Sequence, residues 1–300
     1  MKIANTTAEI ARFFPAHADR ARCLYEAGFT GIDLSFFREN RPDSRFLLPD
    51  WKEEVASLLR FRDETGVSFV QSHLPSGDPL RDEGLLAKNI RCVEVCGMLD
   101  IPLAVIHAGA LPGMGKEEFF EANAAFVRKL LPALEANNVT LCMENSASCY
   151  RKGYYYFFTG ASLAEFCEYF DHPLVQACWD TGHANLEGPQ YQQILDLGKH
   201  MKAIHFNDNY GVIDDHILPF MGTMNVDAVM HALQEIGFDG PMTLECDGQL
   251  RPANSGLSSR RPFPTDTRLA DPPLAVVKSH LRNSLETVRA VLEAYGIPAE

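Results

Sequence analysis

The chain lacks a surplus of positive charge: 27 basic residues stand against 40 acidic ones, a net of −13 over 300 residues. That deficit argues against broad electrostatic attraction to nucleic acid or to an anionic membrane surface. Apolar runs are short, none approaching the ~18 residues of a membrane span, and the opening stretch Met1-Lys2-Ile3-Ala4-Asn5-Thr6 holds no apolar core of a secretory signal. Paired-cysteine motifs are also missing. The eight cysteines, Cys23, Cys92, Cys96, Cys142, Cys149, Cys167, Cys178 and Cys246, form no CxxC. A chain of this length buries about 75% of its unfolded surface and needs no disulfide support. These absences predict a cytoplasmic chain with reduced thiols. No linker-like stretch divides it, so a single domain over residues 1–300 is expected.

What is present is a rhythm of short apolar strands and longer amphipathic helices. Strands are predicted at Lys2–Thr6, Gly31–Phe36, Val67–His73, Pro102–His107, Thr140–Glu144, Val175–Asp180, Met201–His205 and Pro241–Glu245. The helices between and after them fall at Ala18–Ala27, Trp51–Thr65, Glu83–Met98, Lys116–Asn137, Ser162–Phe170, Tyr191–Leu197, Val226–Ile236 and Leu274–Tyr295. Strict alternation implies a parallel sheet, because parallel strands need crossover connections. Eight such units predict an α/β chain closed as a (β/α)8 TIM barrel. Two long segments interrupt the rhythm, residues 145–160 and 247–273, and both follow strands, which places them on the face where barrels carry their sites.

The strand ends carry the chemistry. Strands three to eight end at His73, His107, Glu144, Asp180, His205 and Glu245, at spacings of 34, 37, 36, 25 and 40 residues. Side chains two apart share a strand face, which groups Glu144 with Cys142, Asp180 with Cys178, His205 with Ala203 and Glu245 with Thr243 inside the barrel. Met143, Trp179, Ile204 and Leu244 then face the helices. Three carboxylates converging in a confined mouth repel one another unless a cation sits among them. Glu144, Asp180, His205 and Glu245 form a mixed oxygen and nitrogen set suited to one divalent ion, Mn²⁺, Co²⁺, Mg²⁺ or Zn²⁺. His183 follows three residues after Asp180, and Asp214 and His216 lie in the loop after strand seven. Each of these three also has an ordinary reading, as a loop hydrogen bond or a turn residue.

The stretches GFTGIDLSF, VIHAG, LCMENS, WDTGH, IHFNDN, DDH and MTLE resemble the xylose-isomerase-like barrel superfamily, which holds sugar-phosphate isomerases and epimerases together with endonuclease-IV-type nucleases. The resemblance implies two sets of roles. In the epimerase branch the equivalents of Glu144, Asp180, His205 and Glu245 bind one divalent ion, the two glutamates also move protons, and the equivalent of His183 touches substrate. In the nuclease branch the equivalents of His73, His107, His183, Asp214 and His216 complete a three-zinc cluster. All nine positions are present here, so ligand identity does not separate the branches. One departure stands out: the epimerase pattern Pro-Gly-x-Gly reads Pro219-Phe220-Met221-Gly222 in this chain.

The expected activity is a metal-dependent sugar or sugar-phosphate isomerase or epimerase, with Glu144 and Glu245 exchanging protons through a cis-enediolate. The alternatives are a three-zinc phosphodiesterase, disfavoured by the net charge, and a dehydratase on the same ligands. A barrel that only binds would have no need of two facing acids. The partner is then a small sugar or sugar phosphate rather than nucleic acid or membrane, and a homo-oligomer is compatible with the sequence. The aromatic run Tyr154, Tyr155, Tyr156, Phe157 and Phe158 reads as a lid or a dimer contact, with core packing as the plainer reading. His17, His172, His200, His231 and His280 read as solvated or capping groups. Arg251, Arg260 and Arg261 read as a solvated loop or a phosphate contact.

Overall fold

A computed structural model describes residues 1–150, 153–246, 248 and 272–300. Eight parallel strands close into a barrel in sequence order, β1 (Ile3–Thr6), β2 (Gly31–Asp33), β3 (Ser68–His73), β4 (Leu103–His107), β5 (Thr140–Glu144), β6 (Val175–Asp180), β7 (Met201–Phe206) and β8 (Met242–Leu244). β1 pairs with β8 through Ala4↔Thr243, which completes the ring. The helices are α1 (His17–Ala27), α2 (Trp51–Thr65), α3 (Leu85–Met98), α4 (Lys116–Asn137), α5 (Gly160–Phe170), α6 (Thr181–Asn185), α7 (Tyr191–Leu197), α8 (Val226–Glu235) and α9 (Leu274–Ala294). The expected (β/α)8 architecture is therefore the one observed. Short α6 is an addition. It starts directly at the end of β6 because the Asp180 carboxylate accepts the His183 N–H at 2.7 Å and caps the new helix.

The apolar residues sort into two groups, as strand parity requires. Val105, Cys142, Cys178 and Ala203 cluster inside the barrel with Leu103 against them. Met143, Trp179, Ile204 and Leu244 belong to the larger core between strands and helices. Small residues fill the inside because eight strands leave room for little more. The next inward positions along each strand are the polar ends that line the mouth.

Several expectations are refined. Strand two ends at Asp33 rather than Phe36, and strand eight at Leu244, so Glu245 lies one residue past the ladder. The aromatic run takes the core-packing reading, with Tyr154, Tyr156 and Phe158 partly buried against the core. Tyr155 and Phe157 are buried against Phe119, and Phe157 also packs on Phe166. The rings of α4 and α5 form an apolar layer that takes up this run. His17 is fully buried rather than solvated. Its Nε2 lies 3.1 Å from Glu39 and its Nδ1 3.3 Å from Glu54, an ion cluster under the loops after β1 and β2. Residues 247, 249–250 and 251–271, with Arg251, Arg260 and Arg261, lie outside the described residues.

Candidate metal centre

The barrel brings all nine sequence-predicted residues to one mouth. Glu144 stands at its centre. Its Oε1 lies 2.9 Å from His205 Nδ1 and 3.7 Å from His183 Nδ1, and its Oε2 lies 3.2 Å from His73 Nε2 and 3.3 Å from His107 Nε2. One carboxylate thus faces two separate pairs of imidazoles. His205 Nδ1 is also 3.8 Å from Asp180 Oδ2 and 3.6 Å from Glu245 Oε2, so the four-residue set expected from sequence converges on a single nitrogen.

A second cluster adjoins the first. Asp214 Oδ2 lies between His216 Nε2, 2.6 Å away, and His183 Nε2, 3.4 Å away. His216 Nδ1 is 3.0 Å from the Glu245 backbone oxygen, which ties the loop after β7 to the end of β8. Asn145 and Asn207 brace the floor. The Asp180 N–H donates to Asn145 Oδ1 at 2.6 Å, and Asn207 Nδ2 donates to Asp180 Oδ2 at 3.0 Å.

The electrostatics follow from burial and pairing. Burial opposes ionisation of Glu144, but His107 and His205 overcome it and hold the carboxyl well below its usual range. Asp214 is held down against burial in the same way by His216 and His183. Burial also opposes protonation of His183, and Asp180 and Asp214 raise it well above an ordinary imidazole. Asp180 is pushed up, chiefly by burial, with Asp214 and Glu144 adding repulsion.

Among the described residues, every ion-pair partner of Glu144, Asp180 and Glu245 is a histidine. Protons on those rings therefore supply the countercharge, and protons are what a divalent cation displaces. The ligand atoms of four triads each lie within 4.8 Å of one another: His73–His107–Glu144, Glu144–Asp180–His183, His183–Asp214–His216 and Asp33–His205–Glu245. The donors are imidazole nitrogens and carboxylate oxygens. Burial pushes the Cys178 thiol, one inward position below Asp180, up to about 12. The donor set fits a divalent ion of the manganese, cobalt, magnesium or zinc type.

Sequence reasoning missed two buried side chains on the floor. Asp33 ends β2 and Gln71 lies two residues before His73 on β3, and Gln71 Nε2 is 3.0 Å from Asp33 Oδ2. Both share the inward parity of their strands, the signal that would have found them. Tyr150, in the loop after β5, reaches Asp214 Oδ2 with its hydroxyl at 3.4 Å and sets its ring edge-on to His183. The sequence places its segment, residues 145–160, on the site face, but nothing there singles out Tyr150.

A mouth lined by strand-end carboxylates and imidazoles that could hold a metal ion, on a closed eight-stranded parallel barrel, defines a class of (β/α)8 proteins. Residues 22–262 match the Xylose isomerase-like TIM barrel family, and the chain belongs to it. The uncharacterized protein MJ1311 of Methanocaldococcus jannaschii is 25% identical over 206 residues, 64% of this chain and 69% of that protein. A probable endonuclease 4 of Chloroflexus aurantiacus is 27% identical over 218 residues, 64% of this chain and 75% of that protein. Among solved structures, D-psicose 3-epimerase with D-tagatose from Clostridium cellulolyticum H10 superposes with a TM-score of 0.73 at 16% identity, over 97% of this chain and 99% of that one. At that identity the superposition speaks to the fold. No helix among the described residues is long and apolar enough to cross a membrane.

Proposed function

We propose that the chain is a divalent-metal-dependent sugar or sugar-phosphate isomerase or epimerase. The observation that carries this reading is the placement of two glutamates, Glu144 and Glu245, both within 3.6 Å of the same His205 Nδ1 and reaching it from β5 and the end of β8. Glu144, Asp180, His205 and Glu245 would hold one ion. When bound, such an ion polarises a ketose carbonyl and stabilises the negative charge that develops beside it. One glutamate takes the proton from the carbon next to that carbonyl. The other returns a proton, either to the opposite face of the same carbon, which is epimerisation, or to the former carbonyl carbon, with the hydroxyl proton passing between the two oxygens, which is aldose–ketose exchange. His183 is placed to orient a substrate oxygen from the start of α6, and His73 and His107 hold Glu144 from the other side. The superposition with D-psicose 3-epimerase in the presence of D-tagatose agrees with a small sugar as partner.

A second reading has its own observation. The two oxygens of Glu144 serve different imidazole pairs, and His183, Asp214 and His216 form a complete further triad. Such a set would suit a three-metal phosphodiesterase, and a probable endonuclease 4 is among the relatives. The net charge of −13 favours the sugar reading, since a nuclease must hold DNA phosphates.

Elemental analysis after loading with equal manganese and zinc separates the two. About one tightly held ion per chain supports the isomerase or epimerase. Close to three zinc ions would transfer the case to the phosphodiesterase. Under the first outcome, ketoses incubated in heavy water with wild type acquire deuterium next to the carbonyl, and Glu144→Gln and Glu245→Gln each abolish the incorporation. Exchange at the wild-type rate in either variant would refute the two-base mechanism.

A further inference from the structure

An imidazole that presents one nitrogen to a cation has only the other by which the protein can set its angle. His205 turns Nδ1 to the three carboxylates, and its Nε2 lies 2.9 Å from the side-chain amide of Gln71. β3 and β7 stand on opposite sides of the closed barrel, so this amide crosses the lumen beneath the mouth. Gln71 is itself fixed on two further sides. Its Nε2 donates to Asp33 Oδ2 at 3.0 Å, and its Oε1 accepts from Thr243 Oγ1 at 3.4 Å. Asp33, Gln71, His205 and Thr243 are all at 0% exposure, so bulk water cannot take the place of any of these contacts. The strand registers reinforce them, Asp33 pairing with Gln71 and His205 with Thr243.

We propose that Gln71 is the positioning residue of the metal centre, gripping His205 Nε2 so that Nδ1 faces Glu144, Asp180 and Glu245. This rests on the reading of those four residues as metal ligands. Ligating histidines donate their second ring N–H to an acceptor, which fixes the ring's orientation and tautomer. An amide is suited to the task, because a half-turn of its terminal group exchanges N–H for oxygen opposite Nε2. With the amide nitrogen toward the ring, Nε2 accepts. With the oxygen toward the ring, Nε2–H donates and the Nδ1 lone pair is released to a cation; the amide N–H then turns from Asp33 Oδ2 to Thr243 Oγ1, and the Asp33 contact is kept by a protonated carboxyl donating to the amide oxygen. A side chain of similar shape without polar atoms would fill the lumen and leave the ring unheld.

The test is zinc titration of the chelator-stripped full chain, using a competing dye, for wild type, Gln71→Met and Gln71→Glu. Loss of such an outer contact lowers metal affinity by about 10- to 100-fold, and Gln71→Met is expected to fall in that range. Gln71→Glu, made together with Asp33→Asn so that no second carboxylate faces residue 33, keeps an acceptor opposite Nε2–H and is expected to bind zinc at least as tightly as wild type. Long-range ¹H–¹⁵N spectra of the zinc-loaded proteins supply a readout that packing alone would not move. His205 carries its proton on Nε2 in a protected site in wild type and Gln71→Glu, and loses that protection in Gln71→Met. Equal zinc affinity in wild type and Gln71→Met overturns the inference while leaving the metal centre in place. A wild type that binds no zinc overturns both. If Gln71→Met fails to fold, Gln71→Glu decides: weakened zinc binding, or loss of the protected Nε2 proton, overturns the inference.

Discussion

Asp33 is a carboxyl buried at the floor of the mouth, held by an uncharged amide, and the protein is expected to be more stable without its charge. Burial, against the attraction of His205, raises its pKa from 3.8 to about 6. Each unit of such a difference between folded and unfolded states is about 1.4 kcal/mol, so the ionised carboxylate destabilises the fold by about 3 kcal/mol. An asparagine in its place would keep the shape and an oxygen for Gln71 Nε2, and would carry no charge. Asp33→Asn is therefore expected to raise the unfolding free energy of the metal-free protein by about 2–3 kcal/mol at pH 7.5. The sign with pH follows directly. A carboxyl with a raised folded pKa lets the native state hold more protons than the unfolded state, so wild-type stability falls as pH rises from about 4 to about 6. The gap between variant and wild type should open over that window, stay level above it, and close toward pH 4. Urea denaturation with a chelator present, at pH 4.5, 5.5, 6.5 and 7.5, measures it. A variant no more stable than wild type at pH 7.5, or a gap equal at all four values, would refute the reasoning.

Three other outcomes are expected. His17→Ala removes the ring between Glu39 and Glu54, leaving Glu39 to Ser44 and Glu54 to Arg45 and the backbone N–H of residue 17, and should cost about 1–3 kcal/mol at pH 7. Burial opposes the charge of Glu54, yet the His17 hydrogen bonds hold it down to about 2. Its contribution is thus present above about pH 4.5 and lost as pH falls toward 2, so the acid-unfolding midpoint should move to higher pH in the variant. Phe220 occupies the third position of the Leu218–Met221 turn at φ +73°, where glycine is the comfortable residue. Phe220→Gly should relieve about 1–2 kcal/mol of backbone strain, less about 0.5–1 kcal/mol of added chain entropy, a small net gain readable as a higher urea midpoint. A Cβ at residue 182 would lie 1.9 Å from Asn207 Oδ1, the amide that braces Asp180. Gly182→Ala should weaken zinc binding, and unchanged affinity in a titration would remove Asn207 from the supporting set.

The residues of this site are spread from 73 to 245, yet most were legible without coordinates. Strand parity and helix periodicity are local properties, and α2, α4, α7, β5 and β6 have the bounds their patterns predict. Because a (β/α)8 barrel delivers every strand end to one face, locating Glu144, Asp180 and His205 at strand ends was enough to bring them together. For the aromatic run Tyr154–Phe158 the pattern does not choose among core, lid and dimer contact, since an irregular loop has no periodicity to say which side faces inward. Its fate depended on Phe119 and Phe166 in other elements.

Alternation and chain spacing were thus sufficient to specify the barrel, its order of strands, and the residue types gathered at its mouth. How those residues face one another is a property of the closed fold. That Glu144 serves four imidazoles, that Asp214 lies between two histidines, and that Gln71 crosses the lumen to His205, 134 residues away in sequence, are matters of distances between strands that no local pattern encodes. A hydrogen bond or a ligand shell is fixed to within a few tenths of an ångström, and only barrel closure brings these strands to that separation.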